Sequence, residues 1–119
     1  MSDDLTGRHV VTLDLDGVTD KAGLMARCVR ALELPEWFGR NWDALADSLS
    51  DLSVWPREAA GRGLLLVVRG WRGYATARPE EWEIAREVFA TAADRTVALT
   101  VALTLEVPPR RPPAGLDVL

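Results

Sequence analysis

Three aspartates recur at intervals of four in one short stretch: Asp43, Asp47 and Asp51. On an α-helix that starts at Trp42, this spacing stacks their carboxylates on one face. Leu45, Leu49 and Leu52 then fall on the roughly opposite face. Like charges four apart repel by about 0.2–0.5 kcal/mol per pair, and aspartate is a mediocre helix former. A helix that needed only a wet face would mix in lysine and arginine, and this stripe contains neither. Its chemistry is therefore the recognition of cations. A carboxylate is a planar anion that accepts paired hydrogen bonds from a guanidinium, and on a folded helix it loses little entropy on docking. The bland alternative is a solvated helix face.

The elements around the stripe must hold it in place. Leu34-Pro35 breaks the chain and Gly39 permits a turn. Asn41 is a credible N-cap, with Asp43 in the favourable first turn. Asp51 sits near the expected helix end, where the dipole disfavours an acid, so helix chemistry explains it least. Upstream, Arg8 to Leu15 reads as a strand ending at Asp16-Gly17. Asp20 can cap a helix to about Leu32, with Leu24, Met25, Cys28, Val29 and Leu32 as its apolar stripe. Downstream, Trp55 to Gly63 reads as a helical turn and loop, and Leu64 to Val68 as an apolar strand. Gly70 to Tyr74 reads as a glycine-bracketed loop. Pro79 opens a helix that turns Trp82, Ala85, Val88, Phe89 and Ala92 inward. Thr96 to Leu105 is a last strand. Apolar runs without clean alternation suggest a parallel sheet covered by helices. The predicted fold class is α/β, a small three-stranded parallel sheet in the order β-α-α-β-α-β. The expected division is an acidic tip at 1–7, a domain at 8–106 and a proline-rich tail at 107–119.

The stretch from Leu34 to Leu49 resembles the barstar family, intracellular inhibitors of secreted guanyl-specific ribonucleases. The resemblance rests on Leu34, Pro35, Trp37, Phe38, Gly39, Asn41, Asp43, Ala44, Leu45, Asp47 and Leu49 at fixed spacing. A looser similarity runs from about His9 to about Leu105. It implies a barstar-like fold and a function by occlusion, with no catalysis and no cofactor. Acids at Asp43 and Asp47 would enter the nuclease active site and stand in for substrate phosphate. Trp37 would pack on the nuclease surface, with Phe38 in the core. Gly39, Asn41, Ala46, Asp51 and Leu52 complete the expected partner-binding set. The implied partner is a basic extracellular-type ribonuclease in a 1:1 complex with a chain that is monomeric when free.

This chain departs from the family pattern at several places. Ala46 stands where the prototype carries tryptophan, and Leu52 where it has a second aromatic contact. Matching the last helix through Val88-Phe89 puts Thr91 and Arg95 where the prototype has further interface acids. These departures point to a different nuclease or to weaker binding; the alternative role is an immunity protein or antitoxin for another toxin, using the same helix.

Composition narrows the alternatives. The chain has 119 residues and a formal charge of −4, which fits one domain and disfavours direct nucleic-acid binding. Cys28 is the only cysteine, so no intrachain disulfide forms. The start lacks a signal-peptide pattern, and no apolar run approaches a membrane span; both suggest a cytoplasmic protein. A rival motif is Asp14-Leu15-Asp16-Gly17-Val18-Thr19, close to the D-x-D-G-x-T signature of haloacid-dehalogenase-type phosphatases. There Asp14 would be the nucleophile and Asp16 the acid/base, with magnesium between them. The only lysine, Lys21, follows at once. The simpler reading is a strand ending in a polar turn. His9 and Cys28 do not make a zinc site. Trp71 and Tyr74 form either an exposed rim or part of the core.

Overall fold

The computed structural model describes residues 7–35 and 38–104. Three strands, β1 (His9–Asp14), β2 (Leu64–Arg69) and β3 (Leu99–Leu103), form a parallel sheet in the order β1-β2-β3. Four helices connect them: α1 (Lys21–Leu32), α2 (Trp42–Leu49), α3 (Arg72–Ala77) and α4 (Pro79–Arg95). The predicted α/β class and three-stranded parallel sheet are both found.

Register explains where the core lies. Val11 pairs with Leu66 and Leu66 with Val101; Leu13 pairs with Val68, and Leu64 with Leu99. In a parallel ladder such neighbours share a face. Val11, Leu13, Leu64, Leu66, Val68 and Leu99 are all buried there. The alternate row, including Val10, Thr12, Leu65 and Val67, is exposed or half-buried. The apolar run of β2 therefore overstates the cover. On β1 and β2 one row is buried and the other shields itself only in part, while on β3 the inner row opens at half-buried Val101 and exposed Leu103.

The helices follow local rules. Asp20 Oδ1 accepts from Gly23 N at 2.8 Å and starts α1. Glu33, left-handed at φ 55°, ends it. Leu24, Met25, Cys28 and Leu32 face inward, as their spacing predicts. Pro79 occupies the first turn of α4, followed by Glu80 and Glu81, and Trp82, Ala85, Val88, Phe89 and Ala92 are buried. Two corrections concern the chain after β2 and near its end. The predicted loop at 70–74 contains the start of α3, whose Tyr74 is fully buried. Trp71 stacks on Trp82 with centroids 5.3 Å apart, and Tyr74 meets Trp82 edge-on. These contacts settle Tyr74 as core and Trp71 as half-buried packing, not a rim. The last strand begins at Leu99 and not at Thr96, because Thr96 to Ala98 form a turn whose hydroxyl at Thr96 accepts from Ala98 N.

Candidate partner-binding face on the acidic helix

The position of α2 is fixed at both ends and along its inner face. Asn41 Oδ1 accepts from Ala44 N at 2.8 Å, the expected N-cap. Leu45 and Leu49 are fully buried, and α2 packs along α4. At the far end, Ser50 Oγ donates back to Ala46 O at 2.8 Å, a bond that competes with helix continuation. The Trp55 indole donates to Leu49 O at 3.1 Å, satisfying a carbonyl that the helix end leaves without an intrahelical partner.

That ending corrects the predicted stripe. Asp51 lies beyond α2 and caps a following 3₁₀ turn at Leu52–Val54. Its Oδ1 accepts from Ser53 N at 2.9 Å and from Ser53 Oγ at 2.6 Å. These bonds hold its carboxyl below the usual range. Leu52 is likewise off the inner face predicted for it: it sits in the turn, 55% exposed.

Asp43 and Asp47 remain, one helical turn apart and both exposed. No cation is supplied from within the helix, but α4 supplies one. Arg95 Nη1 donates to Asp47 Oδ1 at 2.9 Å and to Ser50 Oγ at 3.4 Å. The Asp47 side chain is still 75% exposed and that of Arg95 47%. An ion pair this wet contributes roughly 0–1 kcal/mol. Sequence reasoning missed it because the partners are 48 residues apart. The available signal was a cation in the last turn of a helix expected to pack beside the stripe.

Between α2 and α4 lies a hollow of about 240 Å³. Buried Ala46 and Val88 form its floor, and exposed Asp43, Glu87, Thr91 and Arg95 its rim. Ala46 is only 7% exposed, so it offers space to a partner more than surface. A larger hollow, about 780 Å³, lies near the starts of β2 and β3 and touches the face only at Leu52. Its Arg8 donates to the carbonyls of Val97 and Ala98 just before β3, and its Arg62 to those of Gly7 and Arg8 just before β1.

The loop before α2 revises one expectation. The left-handed residue is Arg40, at φ 54°, not Gly39. A Cβ on Gly39 would lie 3.1 Å from Asn41 Nδ2, so glycine leaves room for the capping side chain. Phe38 is buried as expected. Trp37 lies outside the described residues. Trp42 packs half-buried with Lys21 Nζ 5.6 Å from its ring centroid.

The rival motifs are occupied structurally. Asp14 pairs with Arg69 at 2.8 Å, and its Oδ1 accepts from Asp16 N at 3.0 Å. Arg27 donates to the carbonyls of Asp14 and Asp16. Gly70 approaches so closely that a Cβ there would lie 2.7 Å from Asp16 N. The turn is packed and tied, with Lys21 directed to Trp42. Cys28 is fully buried, and burial pushes its thiol up to about 12. Among the described residues no group of three or more His, Cys, Asp or Glu could hold a metal ion. No described helix is long and apolar enough to cross a membrane.

Compared with known proteins, residues 8–107 match the model of a family described as Barstar (barnase inhibitor). No curated protein matches the chain.

Proposed function

The chain belongs to the barstar family, and on that premise we propose that it inhibits a secreted guanyl-specific ribonuclease by covering its active site with α2. Proteins of this family are ribonuclease inhibitors and not enzymes. The observation that carries the finer reading is the pair of exposed carboxylates, Asp43 and Asp47, on a helix capped at both ends and anchored by Leu45 and Leu49. A rigid anion pair at this spacing can meet the cations that an RNase uses to hold phosphate. Asn41 acts by starting the helix, Gly39 by leaving room for that cap. Leu52 and the space over Ala46 extend the contact, and Trp37 packs on the nuclease surface, as the family resemblance implies. Asp51 acts indirectly, by fixing the turn that presents Leu52. The partner is a basic extracellular-type ribonuclease bound 1:1 by a cytoplasmic monomer, and opposite net charge speeds encounter.

An immunity role against another toxin is the second reading, favoured by one observation: Arg95 places a cation beside Asp47. The phosphatase reading finds no support in a packed Asp14–Asp16 turn. The test is titration of the protein into barnase and other basic guanyl-specific ribonucleases cleaving a fluorogenic RNA. Stoichiometric loss of activity at one equivalent is expected. If none is inhibited, and affinity capture from the source cells returns a toxin that is not a nuclease, the immunity reading replaces this one.

A further inference from the structure

We propose that Arg95 determines partner specificity. It neutralises Asp47 in the free protein and stands on the contact face as a cation. This chain then favours a nuclease that brings an acceptor to Arg95 together with a cation to Asp43. The inference rests on the inhibitor reading above and names which nuclease surface fits.

The geometry comes first. Arg95 ends α4, and α2 packs along α4, so the core fixes the separation of the two side chains. Its Nη1 is shared between Asp47 Oδ1 and Ser50 Oγ, at 2.9 and 3.4 Å. Stability does not explain the pair, because both groups are far too exposed for it to matter much. A favourable helix dipole explains a cation at position 95, but not its direction onto Asp47.

The charge pattern comes second. Asp43 has no ion pair among the described residues, while Asp47 is matched by Arg95. The face therefore presents a net anion at one end of the hollow and a neutral pair at the other. A guanidinium approaching Asp47 meets Arg95 within Coulomb range. Once water leaves the contact, Arg95 must either find an acceptor or stay desolvated without one, which weakens the complex. A uniformly basic active site offers it nothing. A site that also carries a carboxylate or carbonyl at that edge does.

Barnase serves as the probe, measured by calorimetry and stopped flow with wild type, Arg95→Ala, Arg95→Glu and Arg95→Lys. Arg95→Ala should bind at least about tenfold more tightly, and Arg95→Glu more tightly still. Arg95→Lys keeps the charge and should stay close to wild type. All four should melt within a few degrees of each other, since the pair is exposed. Wild-type binding with no gain in Arg95→Ala overturns the specificity role and leaves inhibition standing. So does Arg95→Lys behaving like Arg95→Ala, because the effect would then be one of shape. If none of the four binds barnase, the specificity role fails as stated, because removing the cation should open the face to a uniformly basic site; the ribonuclease reading then rests on the wider titration above.

Discussion

Replacing Asp47 by alanine separates a contact face from a structural stripe. In the free protein the substitution removes the ion pair with Arg95, whose two side chains are 75% and 47% exposed. A pair this wet contributes roughly 0–1 kcal/mol. It also removes a like charge one turn from Asp43, which returns about 0.2–0.5 kcal/mol. The two effects oppose each other, so net stability should change by less than about 1 kcal/mol. For a chain of 119 residues that corresponds to a melting shift of no more than about 5 °C. Sequence reasoning alone predicts unchanged or slightly higher stability; Arg95 adds an opposing loss, so the two nearly cancel. Binding should respond very differently. An acid buried against a partner's cations leaves them unpaired when truncated, at about 2 kcal/mol or more. That is at least about 25-fold in Kd. Titration calorimetry against barnase, beside scanning calorimetry of the free variant, reads both quantities. Unchanged affinity together with a melting temperature lower by some 10 °C would refute the reasoning and make Asp47 a structural residue.

Trp55→Phe deletes the indole N–H that donates to Leu49 O and should destabilise the protein by roughly 1–3 kcal/mol; an unchanged urea midpoint would mean that water replaces the indole. Gly70→Ala adds a Cβ 2.7 Å from Asp16 N at φ +68°, whereas Gly61→Ala, at φ +73°, meets nothing within 4 Å. Both should destabilise, the first by more than about 1 kcal/mol, and a larger loss at Gly61 would contradict the packing described at the Asp14–Asp16 turn. Cys28 stays a neutral thiol when folded, with its value raised from 9.0 to about 12, so its contribution is constant below pH 9 and lost as pH rises from there. Wild type should lose up to about 1.4 kcal/mol per pH unit above pH 9 relative to Cys28→Ala; equal pH slopes in urea unfolding would refute this.

How much of the molecule was legible depended on the range of the interaction. Asn41 and Asp20 act within their own first turns, so residue type and spacing sufficed to identify both caps. The buried faces of α1 and α4 follow from a period of 3.6 and needed no tertiary knowledge. The end of α2 was misread because it depends on choices the periodicity does not contain. Ser50 bonds backward, Trp55 takes a helix carbonyl, and Asp51 finds Ser53. The helix α3 was hidden by the two glycines at 70 and 73, which read as a loop while Tyr74 and Trp71 anchor the segment on Trp82. The Asp47–Arg95 pair required the packing of α2 on α4, which no local pattern encodes.

Three of the four departures from the family pattern are scattered in sequence and gathered in space, while Leu52 stands apart in the turn after α2. Ala46, Thr91 and Arg95 all line the one hollow between α2 and α4. Independent drift has no reason to collect them there. A tryptophan lost at position 46 empties volume, and an acid replaced by Thr91 removes charge from the rim above it. The second replaced acid, Arg95, reverses charge and engages Asp47. A cavity, a lost anion and a new cation around one hollow fit a single change in complementary shape and field. They match a partner that inserts a side chain over Ala46 and carries an acceptor beside Arg95. The sealed leucines of α2, Leu45 and Leu49, and the cap at Asn41 are unaffected by it. The fold thus keeps the acidic helix rigid, while the rim facing it on α4 is where, on the proposal above, recognition is retuned.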